Sequence, residues 1–332
     1  MAIRRLLIAL PLLMLAACGP RHSGDGPTID ADKLSARIGK IAIDAAPARL
    51  GIGFIDLQDA EAWTLAADQR FPMHSVVKLV LAAAVLAEVD AGKLSLDEVI
   101  PIQDEDLSPQ TSPVAAAWPG KQAYTVRELL TAAVAQSDNT ASDVLMKRIG
   151  GPGAVTAWLN AKHVSGVRVD RYAREIHMES LGMPSFRPEW KDAVPFDTVT
   201  TAQRREALAR YVADPRDTAT PHGMIDFFVG LDSGELLSPA SRQLLMDILA
   251  QSRNAPGRIA AGLPKGATLA HKAGTARGDI GLCPVVNDVG VAKLRGGERY
   301  AIAVFMAGGQ GELDRCEKVV AAVTRELIRA AR

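Results

Sequence analysis

Apolar positions recur with a helical period through most of the middle of the chain and with a strand period only near its two ends. Residues 31–46 place their apolar side chains on one face, which predicts an amphipathic helix. LGIGFID (50–56) and AWTLAA (62–67) predict two strands joined by a polar turn at Gln58-Asp59. From Met73 to Leu86 the period is helical, and it stays helical over 126–136, 140–149, 153–161, 201–213, 221–230 and 239–252. Strand character returns at 267–273, 286–294 and 298–308, and 314–331 closes the chain as a helix. Strands at both ends around a helical block predict one sheet assembled from the two termini and a second, helical lobe. The fold class expected is α+β: an α/β sandwich lobe from about 31–70 and 253–332, and an all-α lobe from about 71–252. A cleft is expected at their junction.

The N-terminus follows a different pattern. Arg4 and Arg5 precede LLIALPLLMLAA (6–17), a run too short to span a bilayer as a helix and suited to the apolar part of a secretory signal over residues 1–17. Leu15-Ala16-Ala17-Cys18 resembles a bacterial lipoprotein box, which implies that Cys18 is diacylated and becomes the first mature residue. The alternative is an ordinary signal peptide cleaved after Ala17. Residues 18–30, rich in Gly, Pro and polar side chains, then read as a tether from a membrane anchor to a domain at 31–332. The expected location is the periplasm, anchored by lipid to the outer or inner membrane. Beyond Cys18 there remain Cys283 and Cys316, which in an oxidising compartment form either a disulfide or two buried thiols.

Charge narrows the partners. The 332 residues carry 38 basic and 38 acidic side chains, and no basic block with interleaved aromatics occurs, so nucleic acid is not an expected partner. The six histidines show no metal-ligand spacing, and no metal or cofactor is expected. There is no G-x-S-x-G elbow. Gly150-Gly151-Pro152-Gly153 follows a helix and reads as its C-cap.

Three short motifs remain, in a fixed order. Ser75-Val76-Val77-Lys78 is S-x-x-K at the start of an apolar helix, where residues three apart share a face. Ser137-Asp138-Asn139 lies between two predicted helices, a position Asp and Asn also favour as plain N-caps. His271-Lys272-Ala273-Gly274-Thr275 is a near match to K-T-G on a predicted strand. Together they resemble the class A serine β-lactamases and their relatives among the penicillin-binding proteins. The resemblance covers nearly all of the mature chain and implies an antiparallel sheet.

By that resemblance Ser75 is the nucleophile and Lys78 its base, Ser137 relays a proton to the leaving nitrogen, and Asn139 orients Lys78 and the substrate amide. The N–H groups of Ser75 and Thr275 form the oxyanion hole. Lys272, Gly274, Thr275 and Arg258 line the substrate side, Arg258 reaching the substrate carboxylate. The partner implied is a small β-lactam or a peptidoglycan peptide, and the state implied is a monomer.

Two positions depart from the family pattern. VRVDRYAREIHM (167–178) resembles the start of the family's Ω-loop, closed by Asp217, yet position 173 is alanine where the family has the glutamate that activates the deacylating water. Glu175, His177 and Glu179 are the nearby substitutes, Glu175 being the one carried as a candidate base. The loop from Arg171 to Asp217 is also long, with a helix of its own at 201–213. Ala273 replaces a hydroxyl residue, a loss that Thr275, two residues on along the same strand face, partly compensates. The expected function is therefore β-lactam hydrolysis with a slow deacylation step. A D-alanyl-D-alanine peptidase and a penicillin-binding sensor or trap without turnover are the alternatives.

Overall fold

A computed structural model describes residues 29–331 apart from 109–111, 185, 188–189, 191–194 and 277–279. The predicted leader, Cys18 and most of the tether lie outside the described residues. The first part of the chain runs α1 (Ala31–Asp44), β1 (Arg49–Asp56), β2 (Ala62–Leu65), β3 (Phe71–Pro72), α2 (Val77–Asp90), β4 (Val99–Pro101), α3 (Pro113–Ala117) and β5 (Ala123–Thr125). Then come α4 (Val126–Ala135), α5 (Asn139–Arg148), α6 (Pro152–Ala161), α7 (Ala173–Ser180), α8 (Thr201–Ala213) and β6 (Thr218–Ala219). The last part is α9 (Pro221–Ser233), α10 (Pro239–Ala250), α11 (Ile259–Gly262), β7 (Thr268–Ala276), β8 (Leu282–Lys293), β9 (Arg299–Gln310) and α12 (Leu313–Ala330).

The two ends of the chain build one antiparallel sheet of order β2-β1-β9-β8-β7. Its central strand, β9, is apolar on both faces. Tyr300, Ile302, Val304 and Met306 point into a core closed by Leu34 and Ile38 of α1 and Val320, Val323 and Leu327 of α12. The alternate residues Ala301, Ala303, Phe305 and Ala307 join the core of the helical lobe. The period of two is what allows one strand to serve both cores.

At the centre of the helical lobe is α2, buried on every side from Val77 to Leu86. A helix apolar all round has no solvent face, so one polar side chain on it must find partners inside the protein. That side chain is Lys78.

Several short elements escaped the pattern. The two-stranded ribbons β3–β6 and β4–β5, and the helices α3, α7 and α11, are too short or too irregular for a period to show. The second predicted strand stops at Leu65, since Ala66 has a φ of 53°. The strand expected from 286 starts at Leu282, although Pro284 within it argues against a strand.

Candidate active site

Ser75 lies in a 3-10 turn, His74–Val76, that leads into α2. Neighbours from distant parts of the chain hold this turn. Met73 N–H donates to Asp217 O at 2.9 Å, and Asn287 Nδ2 donates to Pro72 O at 2.8 Å and Met73 O at 3.1 Å. Strand β7 runs against the turn so closely that a Cβ on Gly274 would lie 2.5 Å from Met73 O and 3.3 Å from Ser75 N. Glycine at that position of the Lys272 motif follows from the approach of two backbones. The Asn287 contribution was not foreseen, because nothing in the sequence links β8 to residues 72 and 73.

Lys78 Nζ is buried and donates to Asn139 Oδ1 at 2.6 Å, to Ser137 Oγ at 3.3 Å and to the Ser137 carbonyl. Loss of hydration pulls its pKa from the usual lysine value down to about 8, against the opposing pull of Asp138 and Asp143. An amine so shifted can take a proton near neutrality.

Ser137 has a φ of 60°, in the left-handed region that a side chain seldom adopts. Asp138 holds it there. Its carboxylate caps α5 through Ala141 N at 2.8 Å and accepts from Val114 N at 2.8 Å and Ser112 Oγ at 2.9 Å. The S-D-N aspartate is thus an N-cap, and by capping it turns the Ser137 hydroxyl towards two lysines. Lys272 Nζ, on β7, donates to Ser137 Oγ at 3.0 Å. Its own pKa is held well below the usual lysine range by burial and by the charge of Lys78.

The other end of the cleft is built around Arg258, buried at the N-terminal end of α11. It donates to Thr275 Oγ1 at 2.6 Å, to the carbonyls of Asn287 at 2.8 Å and Gly274 at 3.1 Å, and to Glu317 at 3.1 Å. Cys283 and Cys316 form a disulfide that ties β8 to α12 next to Glu317. A cleft of about 590 Å³ brings Ser75, Ser137, Asn139, Lys272, Thr275 and Arg258 to one surface. That set joins residues from the 3-10 turn, the α4–α5 junction, α11 and β7.

The Ω-like segment is closed where expected: Arg171 Nε pairs with Asp217 Oδ2 at 2.5 Å, and Asp217 Oδ1 accepts from the N–H groups of Asp170 and Arg171. Between them, α7 starts at Ala173, whose N–H donates to the buried Asp143 at 2.6 Å. Glu175 does not face Ser75. It is exposed, and its carboxylate turns back to the Tyr172 N–H at 2.8 Å. An acidic residue in the first turn is drawn to the free N–H groups of its own helix. Glu179 is also turned away, paired with Arg171 and with Arg216. The α7 residues that line a small chamber with Ser75 and Lys78 are Ala173, Ile176 and His177. Helix α8, in the long part of the loop, sends Tyr211 edge-on to the ring of His74, with centroids 6.1 Å apart.

Residues 33–331 match the family model described as the beta-lactamase enzyme family. The chain is 31% identical over 320 residues to beta-lactamase L2 of Stenotrophomonas maltophilia, covering 96% of this chain and 92% of that one. It is 28% identical over 295 residues to beta-lactamase VEB-1 of Pseudomonas aeruginosa, covering 89% of each. Among solved structures, a beta-lactamase from Chitinophaga pinensis superposes with a TM-score of 0.75 at 29% identity, covering 90% of this chain and 100% of that one. An ancestral class A beta-lactamase of Gram-negative bacteria gives 0.72 at 34% identity, with coverage of 90% and 99%. A full-length family match and the antiparallel α+β fold agree: the chain belongs to the class A serine β-lactamases.

Proposed function

We propose that Ser75 opens the β-lactam ring as a nucleophile and becomes acylated, and that the acyl-enzyme is hydrolysed slowly. The observation that carries this reading is the convergence of Lys78 and Lys272 on one hydroxyl, that of Ser137. Neutral Lys78 takes the Ser75 proton as Oγ bonds to the lactam carbonyl carbon. The carbon–nitrogen bond then breaks, and Ser137 hands a proton to the leaving nitrogen while the two lysines resupply it. The N–H groups of Ser75 and Thr275 take the oxyanion, each such donor being worth roughly 3 kcal/mol in serine hydrolases. Lys272, Thr275 and Arg258 receive the substrate carboxylate, with Arg258 acting through the Thr275 hydroxyl and by its charge.

Hydrolysis of the ester needs a water and a base, and alanine at 173 supplies no base. This favours slow turnover, and a non-turnover penicillin-binding trap is the second reading that the same observation supports. A D-alanyl-D-alanine peptidase would use the same three motifs. The Cys18 anchor, periplasmic placement and monomeric state belong to the proposal as well. Among the described residues no helix is long and apolar enough to cross a membrane, which fits attachment by lipid alone.

The test is covalent labelling with a fluorescent penicillin, read by intact mass and followed by turnover of a chromogenic cephalosporin. Wild type is expected to gain one penicilloyl adduct and Ser75→Ala none. Labelling that survives Ser75→Ala would place the chemistry elsewhere, and release of D-alanine from a stem peptide without cephalosporin turnover would favour the peptidase.

A further inference from the structure

The chamber behind Ser75 lies against position 173, where alanine leaves it without the carboxylate of the family pattern. Its volume of about 20 Å³ exceeds the roughly 10–15 Å³ that a single water requires. Ser75, Val77, Lys78 and Asn139 line it together with His74 and with Ala173, Ile176 and His177 of α7. A water there would sit beside the ester of an acylated Ser75 with several polar partners.

The candidate proton acceptors on these walls are few. Lys78 faces Ser137 and Asn139 and serves acylation in the reading above, and Asn139 is an amide with no useful basicity. Two imidazoles remain. His74 Nδ1 lies 3.4 Å from Ser75 Oγ, and its Nε2 is buried with no partner among the described residues. Burial above all holds the His74 ring well below the usual imidazole range.

His177 is placed differently. It is four residues beyond Ala173 on α7, so both side chains share the helix face turned to Ser75. It is half-buried and lines the wide cleft as well as the chamber, so it touches both the space for a water and the space for the acyl group.

We infer that His177 is the general base of deacylation in this chain. The inference rests on the acyl-enzyme reading above. The water oxygen bonds to the ester carbonyl carbon and its proton passes to the His177 ring. The tetrahedral oxyanion then collapses, the carbon–Oγ bond breaks, and the imidazolium proton returns to Ser75 Oγ as the product acid leaves. No other reactant is needed.

The experiment separates the two half-reactions. Full-length wild type, His177→Ala and His177→Gln are acylated with benzylpenicillin, freed of excess reagent and followed by intact mass. Acylation rates and melting temperatures should stay close to wild type, while the adduct lifetime lengthens about 10²–10⁴-fold in both variants, the range for loss of a positioned base. Added imidazole should shorten the lifetime in His177→Ala. A His177→Gln adduct that decays at the wild-type rate would overturn the inference, since glutamine can hold a water but cannot take its proton. Decay in His177→Ala at the wild-type rate, or a wild-type adduct with no decay at all, would overturn it too. In these cases acylation of Ser75 would stand, and an adduct with no decay at all would favour the non-turnover trap. Absence of any adduct on wild type would overturn both.

Discussion

If neutral Lys78 takes the Ser75 proton, acylation must follow the titration of a lysine that burial has moved from 10.5 to about 8. The sign is set by which form is the base. Below pH 8 Lys78 is protonated and idle, so acylation should fall about tenfold for each unit of acidification and level off above about pH 9. At pH 7 about one molecule in eleven holds the neutral amine, against about one in 3,000 for an unshifted lysine, so burial raises the active fraction about 300-fold. The rising limb belongs to Lys78 and Lys272 together, because both donate to Ser137 Oγ and the charge of Lys78 lowers the proton affinity of Lys272. Stopped-flow labelling with a fluorescent penicillin between pH 6 and 9.5 reads the limb directly. Lys78→Arg keeps the positive charge but cannot deprotonate, so it should flatten the profile and slow acylation by about 10²–10⁴. A wild-type profile already flat across this range, or an arginine variant that acylates at the wild-type rate, would refute Lys78 as the base.

In a His177→Ala background, restoring a carboxylate with Ala173→Glu, at the start of α7 and on the chamber lining, should raise steady-state cephalosporin turnover by about 10²–10⁴; an unchanged rate would show that position 173 does not reach the ester water. Gly274→Ala should slow labelling severely and lower the urea midpoint by the equivalent of about 1–3 kcal/mol, since the new Cβ would meet the backbone of the Ser75 turn at 2.5 Å. Retention of both properties would mean that β7 can move away without cost. Cys18→Ser should shift the protein out of the membrane fraction, as judged by fractionation and immunoblot; a wild type already soluble would remove the anchor.

What the sequence determined by itself was whatever depends on near neighbours. The S-x-x-K spacing puts Ser75 and Lys78 on one turn, Asp138 announces the start of α5, and an apolar run without a polar stripe requires α2 to be buried, with Lys78 inside it. Strong periods over 8–18 residues gave β1, β9, α8 and α12 close to their observed limits, and strands at both ends implied the shared sheet. The order of the three motifs carried the family.

Tertiary structure decided direction. From the sequence, Glu175 was the candidate base, with His177 and Glu179 beside it on the segment after Ala173. Helix α7 begins at 173, so Glu175 turns back to its own N-terminal N–H while His177, one turn from Ala173, faces Ser75. A two-residue difference is about 200° around a helix, and no local pattern fixes where so short a helix starts. In the same way Arg258 is aimed at Thr275 by Glu317 and two carbonyls, and Asn287 grips residues 72 and 73 from more than 200 positions away. The choice between two thiols and a disulfide at Cys283 and Cys316 also waited on the meeting of β8 with α12. These contacts join residues distant in the chain, and the packing of the two lobes alone brings them together.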